Sequence, residues 1–200
     1  MILYLIRHTS VGVPRGTCYG WTDVPVSLNF ESEAAACKAQ LAGIHFDRVY
    51  TSPLTRARKL AAYCGFPDAV EEPRMKEMHM GDWEMQRFDE IKDPQLKEYY
   101  DNYLDSPTRN GESFKDLYRR VTSFLAELQI EELRLRSFDG SAHCGHTSDA
   151  DSSAHGRELT VGVFCHGGPI ICAMIYAGLV PLEQGYANIP DYASVTKIQL

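Results

Sequence analysis

No stretch of this sequence approaches the roughly 20 consecutive apolar residues that a membrane-spanning helix needs. The opening run, Ile2 to Ile6, is interrupted at Arg7 and has no basic segment before it, so it makes a poor signal peptide, and a cytoplasmic protein without a membrane partner is expected. Positive charge is also scarce. Twenty Lys and Arg against 27 Asp and Glu give a net charge of −7. That balance leaves no surplus to neutralise phosphates over a wide face, which argues against a nucleic-acid partner while leaving room for one small anion in a local basic pocket. The six cysteines form no C-x-x-C pair and are expected as buried thiols. There is no G-x-x-x-x-G-K-Ser/Thr loop, which removes the nucleotide P-loop apparatus. A cysteine phosphatase loop, C-x5-R, is also missing, because the sixth residue after Cys165 is Ile171.

What is present is a repeated syntax of apolar strand, polar or glycine-rich turn, and helix. Ile2 to Ile6 leads into RHTS, RVYTSP leads into LTRARKLAAYCG, and TVGVFC leads through HGGP into IICAMIYAGLV, which gives way at Gly178 and Pro181. Short apolar runs that alternate with helices predict βαβ units and an α/β fold with a mainly parallel central sheet flanked by helices, a three-layer sandwich within a single domain spanning residues 1–200. FESEAAACKAQLAG reads as a helix ending at Gly43, and SFKDLYRRVTSFLAELQIEELRLR as a longer one. In the latter Phe114, Leu117, Val121, Phe124, Leu125 and Leu128 follow helical spacing, and Ser113 with Asp116 resembles a capping box. DYASVTKIQL looks like a closing strand. Arg136 to Glu158 is almost free of large apolar residues and is expected to be a flexible surface insertion; its His143, Cys144, His146, Asp149, Asp151 and His155 match no structural zinc spacing, so no metal is expected.

Three chemistry-bearing groups fall at equivalent places. His8 follows the first strand, His166 follows the third, and Arg56 lies in the first turn of the helix after the second. Ligands of open α/β sheets bind at that carboxyl edge, so neighbouring strands would bring these side chains together. Arg56 sits about 200° from Leu54 at 100° per residue, off the apolar stripe, and a cation in a helix's first turn opposes the dipole unless an anion binds there. Two arginines and two histidines beside helix N-termini suit a phosphoryl group, with a histidine as nucleophile. No cofactor is required.

LIRHT, YTSPLTRAR, RMKEMHMGDWE, NGESF and FCHGG occur in an order that resembles the histidine phosphatase superfamily, which includes the phosphoglycerate mutases. The resemblance covers nearly the whole chain except 136–158. The segment CYGWTDVPVS after RHT is most similar to the α-ribazole-5′-phosphate phosphatase branch of cobalamin biosynthesis. It implies a phosphoglycerate mutase-like fold and a phosphomonoester hydrolase in which His8 is phosphorylated, Arg7, Arg56 and His166 bind phosphoryl oxygens, and Glu77 donates the proton. Tyr19, Gly20 and Gly167 are the further substrate-binding residues of this reading, with Tyr19 and Trp21 as flat surfaces near the pocket mouth. Taken alone, the residues do not distinguish Glu77 from Glu71, Glu72 or Glu84. The sequence departs from the family pattern in three places: Thr9-Ser10 replaces Gly-Glu, the usual asparagine has no clear counterpart near Pro14, and Met85 replaces a glycine. Mutase-type phosphoryl transfer and a non-catalytic phospholigand-binding relative remain the alternatives. Oligomeric state, a homodimer included, is not readable from the residues.

Overall fold

A computed structural model describes residues 1–139 and 158–200. Its elements run β1 (Ile2–Arg7), α1 (Phe30–Gln40), β2 (Arg48–Thr51), α2 (Thr55–Tyr63), β3 (Val70–Glu71), α3 (Gln95–Asp101), α4 (Phe114–Asp139), β4 (Thr160–Cys165), α5 (Gly167–Tyr176) and β5 (Val195–Gln199), with 3-10 turns at Pro73–Met75, Gly81–Trp83 and Leu182–Asn188. The strands form one sheet in the order β3-β2-β4-β1-β5, parallel except at β5. This is the mainly parallel α/β sandwich that the alternating pattern predicts.

Strand alternation sorts the core into two layers. Leu3 and Leu5 of β1 join Val161 and Val163 of β4 against Phe114, Leu117 and Val121 of α4 and Ile170 and Ile171 of α5. Ile6 and Phe164 point the other way, toward Ala34 and Cys37 of α1 and Leu60 and Ala61 of α2. Burial on both faces explains why β1 and β4 read as apolar runs. The capping box forms as expected: Asp116 N donates to Ser113 Oγ at 3.2 Å and Ser113 N to Asp116 Oδ2 at 3.1 Å. Helix α5 stops at Gly178, whose φ of +71° is the left-handed conformation that favours glycine there.

The boundaries of the expected insertion need correction. α4 continues through Asp139, so Arg136 is helical and pairs with Glu132 at 2.9 Å one turn back. At the other limit Glu158 accepts from the N-terminal amine of Met1 at 3.0 Å. The candidate metal ligands His143, Cys144, His146, Asp149, Asp151 and His155 lie outside the described residues. Among the described residues no helix is long and apolar enough to cross a membrane. The five described cysteines are free and buried.

Candidate active site

β1, β2 and β4 end together, since Arg7 is in register with Cys165 and Thr51 with Phe164. The next residue of each strand therefore meets at one edge: His8, Ser52 and His166. The rings of His8 and His166 lie 5.0 Å apart between centroids. Nδ1 of His8 is 2.6 Å from the Thr9 carbonyl oxygen. A carbonyl only accepts, so Nδ1 carries the proton and Nε2 keeps its lone pair. Burial, and then the charge of Arg56, push the His8 pKa well below the usual imidazole range despite the Thr9 bond. At neutral pH this is an uncharged imidazole with a free lone pair.

His166 caps α5, with Nε2 2.7 Å from Ser52 Oγ. Burial first, then Arg56 and His8, also hold its pKa well below the ordinary value. The cationic form of His166 is thus disfavoured by the protein's own groups. Its Nδ1, with Arg7 Nε and Arg56 Nε, is buried without a hydrogen-bond partner among the described residues. Such atoms are costly to leave unmatched, and the two arginine Nε donors beside two histidines suit an anion.

Arg56 is off the apolar stripe as its spacing predicts, yet it is fully buried rather than solvated. Nη1 donates to the Thr22 carbonyl at 3.0 Å and Nη2 to that of Gly20 at 2.7 Å, while Tyr19 lies 5.4 Å away over the guanidinium. Gly20 therefore serves Arg56 through its backbone. The dipole argument for an anion at the start of α2 is met differently: Asp23 accepts from Thr55 N at 2.9 Å and from its hydroxyl. Arg7 packs 4.0 Å from the centre of Tyr192 and donates to the Pro190 carbonyl. The same C-terminal segment fixes the backbone of His8, because Ala193 N donates to His8 O at 3.1 Å and Arg7 N to Ser194 O at 3.1 Å.

Glu77 faces this group. Its Oε1 accepts from Met78 N at 2.9 Å and its Oε2 from Gly168 N, in the first turn of α5, at 3.2 Å. A Cβ on Gly168 would lie 2.2 Å from Glu77 Oε1, so glycine lets the carboxylate approach the helix end. A Cβ on Gly167 would stand 3.5 Å from Arg7 Nε. The other three carboxylates are engaged elsewhere. Glu71 pairs with Arg58 at 3.2 Å and Glu72 with Arg74 at 2.8 Å. Glu84 accepts from the backbone N–H groups of Trp21 and Thr22 at 2.8 and 2.5 Å, and so holds the CYGWT loop in place.

Arg7, His8 and Glu77 open into a cavity of about 540 Å³, whose lining residues do not include the fully buried Arg56 and His166. Arg7, His8, Glu77, Gly167 and Gly168 line one end; Tyr19, Met78, Met80, Tyr99, Tyr100, Tyr103 and Tyr186 are part of the rest. Tyr19 is among the lining residues, and its hydroxyl bonds that of Tyr192 at 2.8 Å. Trp21 is not at the mouth. Its ring lies 4.5 Å from that of His79 at a tilt of 37°, sits under Lys76 Nζ at 3.2 Å, and donates Nε1 to the Glu77 carbonyl at 2.7 Å. Sequence reading missed the wall tyrosines and Tyr192; the one available signal was the cluster of Tyr99, Tyr100 and Tyr103 in and beside a helix of seven residues.

A parallel-centred sheet with a histidine beyond each of two adjacent strands and an acid against the following helix is the phosphoglycerate mutase-like architecture. Comparison with known proteins makes this definite. The family model of the histidine phosphatase superfamily (branch 1) matches residues 3–134, and the chain belongs to that superfamily. The adenosylcobalamin/alpha-ribazole phosphatase of Salmonella typhimurium is 30% identical over 136 residues, 64% of this chain and 67% of that protein. A 2,3-bisphosphoglycerate-dependent phosphoglycerate mutase of Bartonella tribocorum is 30% identical over 84% of this chain and 90% of its own length. With phosphoserine phosphatase 1 of Hydrogenobacter thermophilus the identity is 28%, over 64% of each chain. The matched region thus spans about two thirds of the two curated phosphatases. In fold, the alpha-ribazole phosphatase structure from Shigella flexneri superposes with a TM-score of 0.78 at 21% identity, over 100% of this chain and 91% of that one.

Proposed function

We propose that this protein is a phosphomonoester hydrolase that works through a phosphorylated His8, with α-ribazole 5′-phosphate as its leading substrate. The observation that carries the reading is the state of His8, neutral, with Nδ1 committed to a carbonyl and the Nε2 lone pair free. Nε2 attacks phosphorus, the bond to the leaving oxygen breaks, and Glu77 gives that oxygen its proton. Water then attacks phosphorus, the P–N bond breaks, and Glu77 takes the proton from water, restoring His8. Arg7, Arg56 and His166 meet the phosphoryl charge, and the dianion raises the proton affinity of His166, offsetting its burial. These steps draw on side chains alone.

The substrate rests on the cavity wall. Tyrosine and methionine surround the space beyond the polar end, and Arg7 is the one Lys or Arg among the described lining residues. A flat ring system can stack there, whereas the carboxylate of a phosphoglycerate or phosphoserine would be desolvated without a second cation. The same wall favours hydrolysis over mutase transfer, which needs ligands that return a small acid to the phosphohistidine. A cytoplasmic location belongs to this reading, since the described thiols are free and buried.

The test compares phosphate release from α-ribazole 5′-phosphate and from phosphoserine with interconversion of 2- and 3-phosphoglycerate. Release from the first should dominate. Interconversion with little release would replace the hydrolase by a mutase, and failure to form an acid-labile phosphoenzyme with any ester would leave a binding protein.

A further inference from the structure

Glu77 is carried by neither helix nor strand; it lies on irregular backbone between the 3-10 turns at Pro73–Met75 and Gly81–Trp83. A proton donor must be held to within a fraction of an ångström of the leaving oxygen, so such a segment needs an external support. Trp21 Nε1 donates to the Glu77 carbonyl, and the broader support is one side chain of α4. Arg120 Nη1 donates to the carbonyls of Arg74 and Lys76 at 2.6 and 2.7 Å, and Nη2 donates to the carbonyl of Glu77 itself at 2.8 Å. Its remaining donors go to Glu112, Nε to Oε1 at 2.8 Å and Nη2 to Oε2 at 2.9 Å. Glu112 extends the clamp beyond Glu77: Oε2 accepts from His79 N at 2.8 Å, and Glu112 N donates to His79 O at 2.8 Å.

We infer that Arg120, with Glu112 as its counter-charge, is the positioning residue for the Glu77 proton donor. This rests on the acid–base reading of Glu77 given above. Neither residue is among those lining the cavity, so both act through the backbone that carries Glu77. The couple is largely buried, with side chains 16% and 17% exposed, which strengthens its charge-assisted bonds. The planar guanidinium reaches three carbonyls and a carboxylate at once. An ammonium has a different donor geometry and cannot reproduce that fork.

The discriminating experiment exploits leaving groups. Nitrophenolate departs from 4-nitrophenyl phosphate without a proton, whereas the alkoxide of 2-phenylethyl phosphate needs one. Rapid-quench measurement of His8 phosphorylation isolates the first half-reaction in wild type, Glu77→Gln and Arg120→Lys. Arg120→Lys should slow phosphorylation by the alkyl ester about 100-fold and by the aryl ester less than about threefold, the same split as Glu77→Gln. Equal losses on both esters in Arg120→Lys, alongside a split in Glu77→Gln, would reduce Arg120 to a purely structural residue and overturn the inference alone. Absence of a split in Glu77→Gln would remove the acid assignment and the inference with it. If Arg120→Lys fails to fold, Glu112→Gln carries the test: a smaller split of the same sense supports the clamp, and equal losses overturn it.

Discussion

The histidine end of the cavity hangs on the ends of three hydrogen-bonded strands, whereas the wall beside it is assembled from α3, the 3-10 turn at Leu182–Asn188 and the irregular segments that carry Tyr19, Met78 and Met80. His8 and His166 each follow a strand with neighbours on both sides, and their surroundings are buried. Tyr100 is 59% exposed and Tyr186 37%. The two histidines sit on the rigid part, and Glu77 is braced from outside by Arg120; in the proposed reading, recognition of the leaving group falls to the part that can vary without disturbing them.

Removing a group from each end tests that division. His8→Ala should eliminate the acid-labile phosphoenzyme and lower turnover by roughly 10⁴-fold or more, with the far-ultraviolet dichroism unchanged, because the nucleophile has no substitute. Near-normal turnover in this variant would show that the strand-borne end does not hold the chemistry. Tyr100→Ala should reduce kcat/KM for a ring-bearing ester about tenfold through KM, while methyl phosphate, too small to reach the wall, loses far less. Equal losses on the two esters would mean that the wall does not receive the leaving group.

The two ends should also differ in their response to protons. His8 and His166 have folded-state pKa values well below the 6.5 of a free imidazole. Below that pH the unfolded chain binds protons that the native state refuses, so stability rises with pH and is lost as pH falls from 6.5 toward the folded values. The slope reaches about 1.4 kcal/mol per pH unit for each histidine. Urea melts between pH 7 and pH 5 should show this decline. The slope should fall by about half in His8→Asn, where His166 still contributes, and persist in Tyr100→Ala; an unchanged slope in His8→Asn would contradict the buried neutral ring.

The smallest effect concerns Met85, where the family pattern has glycine. It adopts φ of +66°, its N–H donates to Cys18 O at 2.7 Å, and its side chain is half exposed and not among the residues lining the cavity. Glycine would relieve a left-handed strain of about 1 kcal/mol and lose part of that to unfolded-state entropy. Met85→Gly should therefore stabilise the protein by roughly 0.5 kcal/mol in denaturant melts, with kcat unchanged. A destabilised variant would show that the methionine's packing outweighs its backbone.

The same contrast explains what could be read from the residues. Apolar runs bounded by turns located β1, β2 and β4, and helical spacing located α4, because burial on a sheet or a helix face writes a period into sequence. Periodicity also placed Arg56 off its helix's stripe, but a stripe says nothing about what covers the opposite face; the covering loop, with the carbonyls of Gly20 and Thr22, comes from elsewhere in the chain. Glu77 was chosen by resemblance alone, since irregular backbone has no period and the supporting Arg120 is 43 positions away. Trp21 was expected at the mouth for being aromatic, but its ring direction is decided by Lys76, His79 and a bond to the Glu77 carbonyl. Departures from the family pattern were legible as departures but not as solutions. Ser10, in place of the usual glutamate, ties the turn after His8 to Glu33 through its N–H and its hydroxyl, both at 2.6 Å.

The contact between Arg7 and Pro190 joins residues 183 positions apart, and both sheet neighbours of β1 lie in the last fifth of the sequence. During synthesis, at roughly 5–20 residues per second, the histidine emerges on the order of 10 s before the segment that fixes its backbone. For that interval Ile2 to Ile6 has no strand to pair with, and its apolar side chains are accessible to chaperones and to other nascent chains. Such long-range pairing closes slowly because loop entropy is lost before contacts repay it. A ribosome-bound chain stalled before β4 would therefore carry His8, Arg56 and Glu77 and still be inactive, so activity switches on with completion of the sheet.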